Sequence, residues 1–202
     1  MKAGIALKIE TNIKQSLEPY EVWVKQRITD KRFTHTKGVV EKAVEMAELY
    51  NCDKYSASLA AICHDAAKRL PDHEMLEIAT EAGLPIDPVE LNTPNLLHGP
   101  IAAIICAREL EINDQEVLNA ICYHTTGRPL MSKLEQIIYL ADLIEESRDY
   151  PGVGELRALS AVNLEAAMKA AFKQTIRFVL YKDEMIHPLT VSALNWVLTK
   201  KD

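Results

Sequence analysis

The stretch Leu59–Leu70, LAAICHDAAKRL, decides how the rest of the chain is read. Leu59, Ala60, Ala61, Ile62, Cys63, Ala66 and Ala67 have the composition of a buried helix, and His64 and Asp65 sit side by side among them. A carboxylate taken out of water costs several kcal/mol unless something pairs with it. The stretch predicts an interior helix ended by Pro71, with a positive charge held close to Asp65.

Outward from it, apolar residues recur at a helical period. LEPYEVWVKQRI (17–28) predicts a helix with Pro19 near its first turn, and HTKGVVEKAVEMAELY (35–50) one that begins at His35. DHEMLEIATEAG (72–83) predicts a helix capped by Asp72 and stopped by Gly83. The Pro-rich run 84–100 reads as loop with short helical turns. Two more apolar helices follow, IAAIICAREL (101–110) and DQEVLNAICYH (114–124), the second capped by Asp114. Ser132 and Glu135 form a capping box ahead of an apolar run that contains Asp142. Two further helical stretches, 164–182 and 188–200, close the chain. No segment alternates as a strand does. The expected fold is all-α, a multi-helix bundle in a single domain over 1–202, with residues 1–30 as a helical lead-in, a core at 33–180 and a C-terminal helix at 188–199.

The 202 residues are 48% hydrophobic and 26% charged, enough to build a core. The net charge of −6 argues against nucleic acid as a partner. None of the four cysteines belongs to a C-x-x-C pair, which predicts reduced core thiols and a cytoplasmic location. The N-terminal residues read as neither signal peptide nor membrane span.

The ionisable residues carry the functional reading. His35, His64, His98 and His124 recur with Asp65 and Asp142 at the inner faces or ends of apolar helices. One such residue is ordinarily a cap or a satisfied pair. Six of them in a helical bundle describe a carboxylate–histidine metal centre, because a divalent ion compensates the buried carboxylates and neutral imidazoles complete its shell. His64 and Asp65 diverge by about 100° on a helix, so they approach one ion from the side or Asp65 bridges two. Lys68 shares the Asp65 face three residues on. His73 and His187 lie at polar or Pro-flanked edges and fall outside the set, and Gly99 reads as a tight turn presenting His98.

HTKGV (35–39), HDAAK (64–68), LLHGPIAA (96–103), HTTGRPLMSKLEQIIYLADLIEESR (124–148) and YPGVGELR (150–157) together resemble the HD-domain metal-dependent phosphohydrolases, in particular the bacterial symmetrical bis(5'-nucleosyl)-tetraphosphatases of the YqeK family. The similarity runs from about Phe33 to about Leu180. It departs at Glu146, where the family pattern has proline, and the N-terminal 30 or so residues are longer than the family needs. The resemblance implies two divalent metal ions, commonly iron, with manganese or another transition metal as alternatives. His35, His64, Asp65 and Asp142 would hold one ion, and Asp65 would bridge to a second on His98 and His124. It also implies hydrolysis of diadenosine tetraphosphate to two ADP by a metal-activated water, with a dinucleoside polyphosphate or nucleoside diphosphate as ligand. Asp65 and Lys68 would be catalytic. Lys68, Thr125, Thr126, Gly127, Arg128 and Arg148 would contact substrate. By residue type alone, Tyr123, Tyr139 and Tyr150 are each candidates to stack on a base. A nucleotidase, a guanosine-polyphosphate hydrolase and a catalytically silent nucleotide sensor are the alternatives, and a homodimer is compatible with the pattern.

Overall fold

The computed structural model describes residues 15–200, and among these there are helices and turns but no strand. In chain order they are α1 (15–25), α2 (Asp30–Leu49), α3 (Lys54–Cys63), α4 (Asp72–Glu81), α5 (Pro88–Asn92), a 3-10 turn (Pro94–Leu97), α6 (His98–Glu109), α7 (Gln115–Cys122), α8 (Lys133–Ile144), α9 (Val153–Ser160), α10 (Leu164–Tyr181) and α11 (Pro188–Thr199). Among the described residues, no helix is long and apolar enough to cross a membrane.

The bundle is organised around α8. Leu134, Ile137, Ile138, Leu140, Ala141 and Ile144 are buried on all its sides, as expected of a helix surrounded by others. It packs against α2, α3, α7, α9 and α10. Alanines at 57, 60, 61, 102, 120 and 141 are fully or almost fully buried, and their small side chains let the helix axes approach closely. The Ser132–Glu135 capping box is present at the start of α8, as the sequence predicts.

Several boundaries differ from expectation, and two of them matter for function. First, α2 begins at Asp30, because the Thr29 hydroxyl caps it by accepting from the Arg32 N–H. His35 therefore lies in the second turn instead of opening the helix, and Arg32 sits one turn before it on the same face. Second, α3 stops at Cys63. The chain continues in tight i→i+3 turns: Ala66 N–H to Cys63 O at 3.0 Å, Lys68 N–H to Asp65 O at 2.9 Å and Leu70 N–H to Ala67 O at 3.0 Å. In this tighter winding residues i and i+3 eclipse, which stacks Lys68 over Asp65. The other differences are local. α1 is already helical at 15, so Pro19 lies inside it, and Pro71 takes the cap of α4 with Asp72 in its first turn.

Candidate metal centre

Five helices converge on one point. The second turn of α2 supplies His35, the end of α3 supplies His64 and Asp65, and the start of α6 supplies His98. The end of α7 supplies His124 and the last turn of α8 supplies Asp142. His35 Nε2 lies 2.9 Å from Asp142 Oδ1, with His64 Nε2 3.9 Å from the same oxygen. Asp65 divides its two oxygens: Oδ2 is 3.3 Å from His64, and Oδ1 is 3.3 Å from His98 and 3.8 Å from His124. The ligand atoms of His35, His64 and Asp142 lie within 4.8 Å of one another, and so do those of His64, Asp65 and His124.

The hydrogen bonds show which ring nitrogens face inward. His64 Nδ1 faces Ala61 O at 2.7 Å, His98 Nδ1 faces Asn95 O at 2.5 Å and His124 Nδ1 faces Ile121 O at 2.7 Å. A carbonyl only accepts, so each Nδ1 carries the hydrogen and each ring turns Nε2, the atom left to bind a metal, inward. His98 Nε2 and His124 Nε2 then stand 3.0 Å apart as two acceptors. His35 Nε2 and His64 Nε2 are buried with no hydrogen-bond partner. Inward lone pairs beside two carboxylates are the donor set of a divalent transition ion, so the residues fit a metal.

The charges agree. Burial drives the His124 pKa down to about 3, with His98 and His64 adding to the effect, so this imidazole is neutral at any working pH. Burial opposes ionisation of Asp142, but the nearby His35, His64 and Arg148 outweigh it and hold the carboxyl below the usual range. Burial likewise opposes ionisation of Asp65, and His64, His98 and His124 bring it down.

Three cations close the site from the solvent side. Arg32 Nη1 donates to Asp65 Oδ2 at 2.8 Å, Arg148 Nη2 to Asp142 Oδ1 at 2.5 Å, and Lys68 Nζ lies 3.2 Å from His98. Burial pushes the Lys68 ammonium below its usual range, and Arg32 and Arg148 push the same way. Arg32 was not expected from sequence. Its signal was the Thr29 cap, which sets the register that puts it on the His35 face. Arg157, in the YPGVGELR stretch, is a further residue whose role only the structure shows. It donates to the carbonyls of Ile144, Glu145, Glu146 and Arg148, and so satisfies acceptors that the end of α8 leaves open.

Residues 32–147 match the HD domain family. The symmetrical bis(5'-nucleosyl)-tetraphosphatase of Bacillus subtilis is 40% identical over 176 residues, covering 87% of this chain and 94% of that protein. Its counterpart in Halalkalibacterium halodurans is 41% identical over 178 residues, covering 88% and 95%. The chain belongs to the HD-domain family, in its symmetrical bis(5'-nucleosyl)-tetraphosphatase group. A crystal structure of an HD superfamily hydrolase from Clostridium acetobutylicum, described as involved in NAD metabolism, matches with a TM-score of 0.88 at 38% identity, covering 91% of this chain and 97% of that one. HD domains are metal-dependent, in keeping with the buried His/Asp groups here.

Within this HD domain the loop after His124 divides its residues between site and scaffold. Thr125 Oγ1 lies 3.1 Å from both His98 Nε2 and His124 Nε2, inside the cluster. Thr126 turns the other way: its buried hydroxyl donates to Gly127 O, and its carbonyl accepts from Thr190 of α11. Gly127 has φ +65°, and an added Cβ would fall 2.5 Å from the Phe172 ring. Arg128 Nε donates to buried Glu135 at 2.7 Å, and its guanidinium lies 4.7 Å from the centre of the Tyr123 ring. Gly99 serves a close helix approach and not a tight turn, since a Cβ there would meet Cys122 O at 2.6 Å. Tyr139 is withdrawn from any ligand, buried against Phe172. His73 is exposed, while His187 is buried, caps α11 and faces Glu90 at 3.3 Å. The cysteines are free, with Cys63 and Cys106 buried.

Proposed function

We propose that this protein hydrolyses diadenosine tetraphosphate symmetrically, giving two ADP, at a two-metal centre. The observation that carries the reading is the division of Asp65, one oxygen toward His64 and the other toward His98 and His124, as a bridging carboxylate requires. Kinship to the named tetraphosphatases supports the substrate. His35, His64, Asp65 and Asp142 would hold one ion, and Asp65, His98 and His124 the second. Iron is the expected metal, with manganese as the alternative. Divalent ions bound there lower the pKa of a water from about 15.7 toward about 7 and act as Lewis acids on phosphoryl oxygens, which is the chemistry that phosphoanhydride hydrolysis needs.

The chain's own groups do the rest. Asp65, ionised and buried, is an acceptor that fixes the spacing of the centre. Arg32 and Arg148 pair with the carboxylates of Asp65 and Asp142, and Lys68 lies beside His98. All three cations border the cluster, where they would hold the polyphosphate and offset charge on the leaving diphosphate. The Thr125 hydroxyl donates to a phosphate oxygen. Thr126, Gly127 and Arg128 support the loop that presents it. The free cysteines support a cytoplasmic site of action.

The test is one preparation with two readouts: metal content without added metal, then products from diadenosine tetraphosphate by chromatography. About two ions per chain and ADP as the sole product are expected. AMP plus ATP would overturn the symmetrical cut. Absence of metal after reconstitution with iron or manganese would overturn the centre.

A further inference from the structure

The four imidazoles are not held alike. His64 and His124 sit just past the ends of α3 and α7, and His98 sits where the 3-10 turn passes into α6. The last carbonyls of a helix have no partner within it, and each of these rings donates Nδ1–H to the carbonyl three residues back. His35 has no such carbonyl. It lies inside α2, where the backbone acceptors are committed to the helix ladder. Its Nδ1 instead donates to Glu145 Oε1 at 2.9 Å, a residue 110 positions later at the C-cap of α8.

Glu145 is built for that contact. It is 1% exposed. Ser147 holds its carboxylate with a backbone N–H at 2.7 Å and a hydroxyl at 2.5 Å, and Arg157 fixes its carbonyl at 2.7 Å. Gly38, one turn after His35, leaves the space: a Cβ there would fall 2.6 Å from Glu145 Oε2. A carboxylate donor-partner behind a ligating imidazole fixes its tautomer and makes it a stronger base toward the metal.

We propose that Glu145 is a positioning residue that holds His35 with Nε2 toward Asp142, making the His35–His64–Asp142 site the tighter of the two. The proposal rests on the metal-centre reading above. Removing such a partner weakens metal binding roughly 10- to 100-fold.

The experiment strips the protein with a chelator and titrates manganese against a competing indicator. Wild type is expected to fill in two steps. Glu145→Gln is expected to weaken the tighter step by roughly 10- to 100-fold and leave the looser one in place. Gly38→Ala is the second variant. Alanine favours the helix, so this variant keeps its fold, yet the added methyl displaces the carboxylate and weakens the same step. In chelator-stripped protein, imidazole nitrogen NMR should show His35 as the Nδ1–H tautomer in wild type and as a mixture in Glu145→Gln. If both variants fill as wild type does, with only the melting temperature changed, Glu145 is merely structural and the proposal falls. If wild type itself takes up fewer than two ions, the metal-centre reading fails instead.

Discussion

Arg32→Ala should move two quantities in opposite directions. Arg32 donates to Asp65 at 2.8 Å with 36% of its side chain exposed, while Asp65 is almost fully buried. In the metal-free protein this pair competes with an incoming ion for the same carboxylate. An exposed partner makes the pair worth at most about 1 kcal/mol, so its loss should tighten metal binding by up to roughly fivefold. Toward substrate the effect reverses. With Asp65 on the metals, the guanidinium is free for a phosphate oxygen, and a hydrogen bond to a charged group is worth about 1.5–3 kcal/mol. Its removal should lower kcat/KM by roughly 10- to 100-fold, since about 1.4 kcal/mol is tenfold. The assay pairs the manganese titration with steady-state hydrolysis of diadenosine tetraphosphate at saturating metal. A variant that loses metal affinity and activity together would refute the argument, because Arg32 would then be holding Asp65 in place and not waiting for phosphate. Unchanged kcat/KM would show that it never reaches the substrate.

Gly127→Ala combines a left-handed backbone with a methyl against Phe172, and should cost about 2–5 kcal/mol in urea unfolding. A loss under about 1 kcal/mol would mean that the loop relaxes freely. Tyr139 gives a pH dependence. Burial raises its phenol above the ordinary value of about 10, so the folded state keeps a proton that the unfolded chain releases. Stability is unaffected below that value and falls as pH rises above it, by up to about 1.4 kcal/mol per unit for this one group. Tyr139→Phe should flatten the alkaline fall in part, leaving the share of the other buried phenols and thiols such as Cys122, whose thiol burial pushes up to about 12; an unchanged slope would count against it. Arg128→Ala should lower the urea midpoint by freeing buried Glu135 while KM holds. A roughly tenfold rise in KM, about 1.4 kcal/mol, would return Arg128 to the substrate.

What could be read from the chain alone follows the range of the physics involved. A capping box and a helical period are local, so α8 was legible from Ser132, Glu135 and its apolar residues. The six ionisable residues stood out because each breaks an apolar stretch at a real energetic cost. Arg32 and Glu145 broke nothing. Each lies in a polar stretch, where a charge is unremarkable until the partner is known. For Arg32 the missing fact was one helix register: a start at His35 leaves it in a linker, and the Thr29 cap brings it onto the ligand face. For Glu145 it was a contact spanning 110 positions. The end of α3 is the intermediate case. Stopping the helix at Cys63 costs its last carbonyls their partners, and His64 recovers one of them through Nδ1. The ligand thus stabilises the terminus that aims it, as His124 does for α7. A ligand inside a continuous helix has no such carbonyl to use, so a centre that includes His35 must draw an acceptor from another element, and Glu145 is the one that α8 supplies.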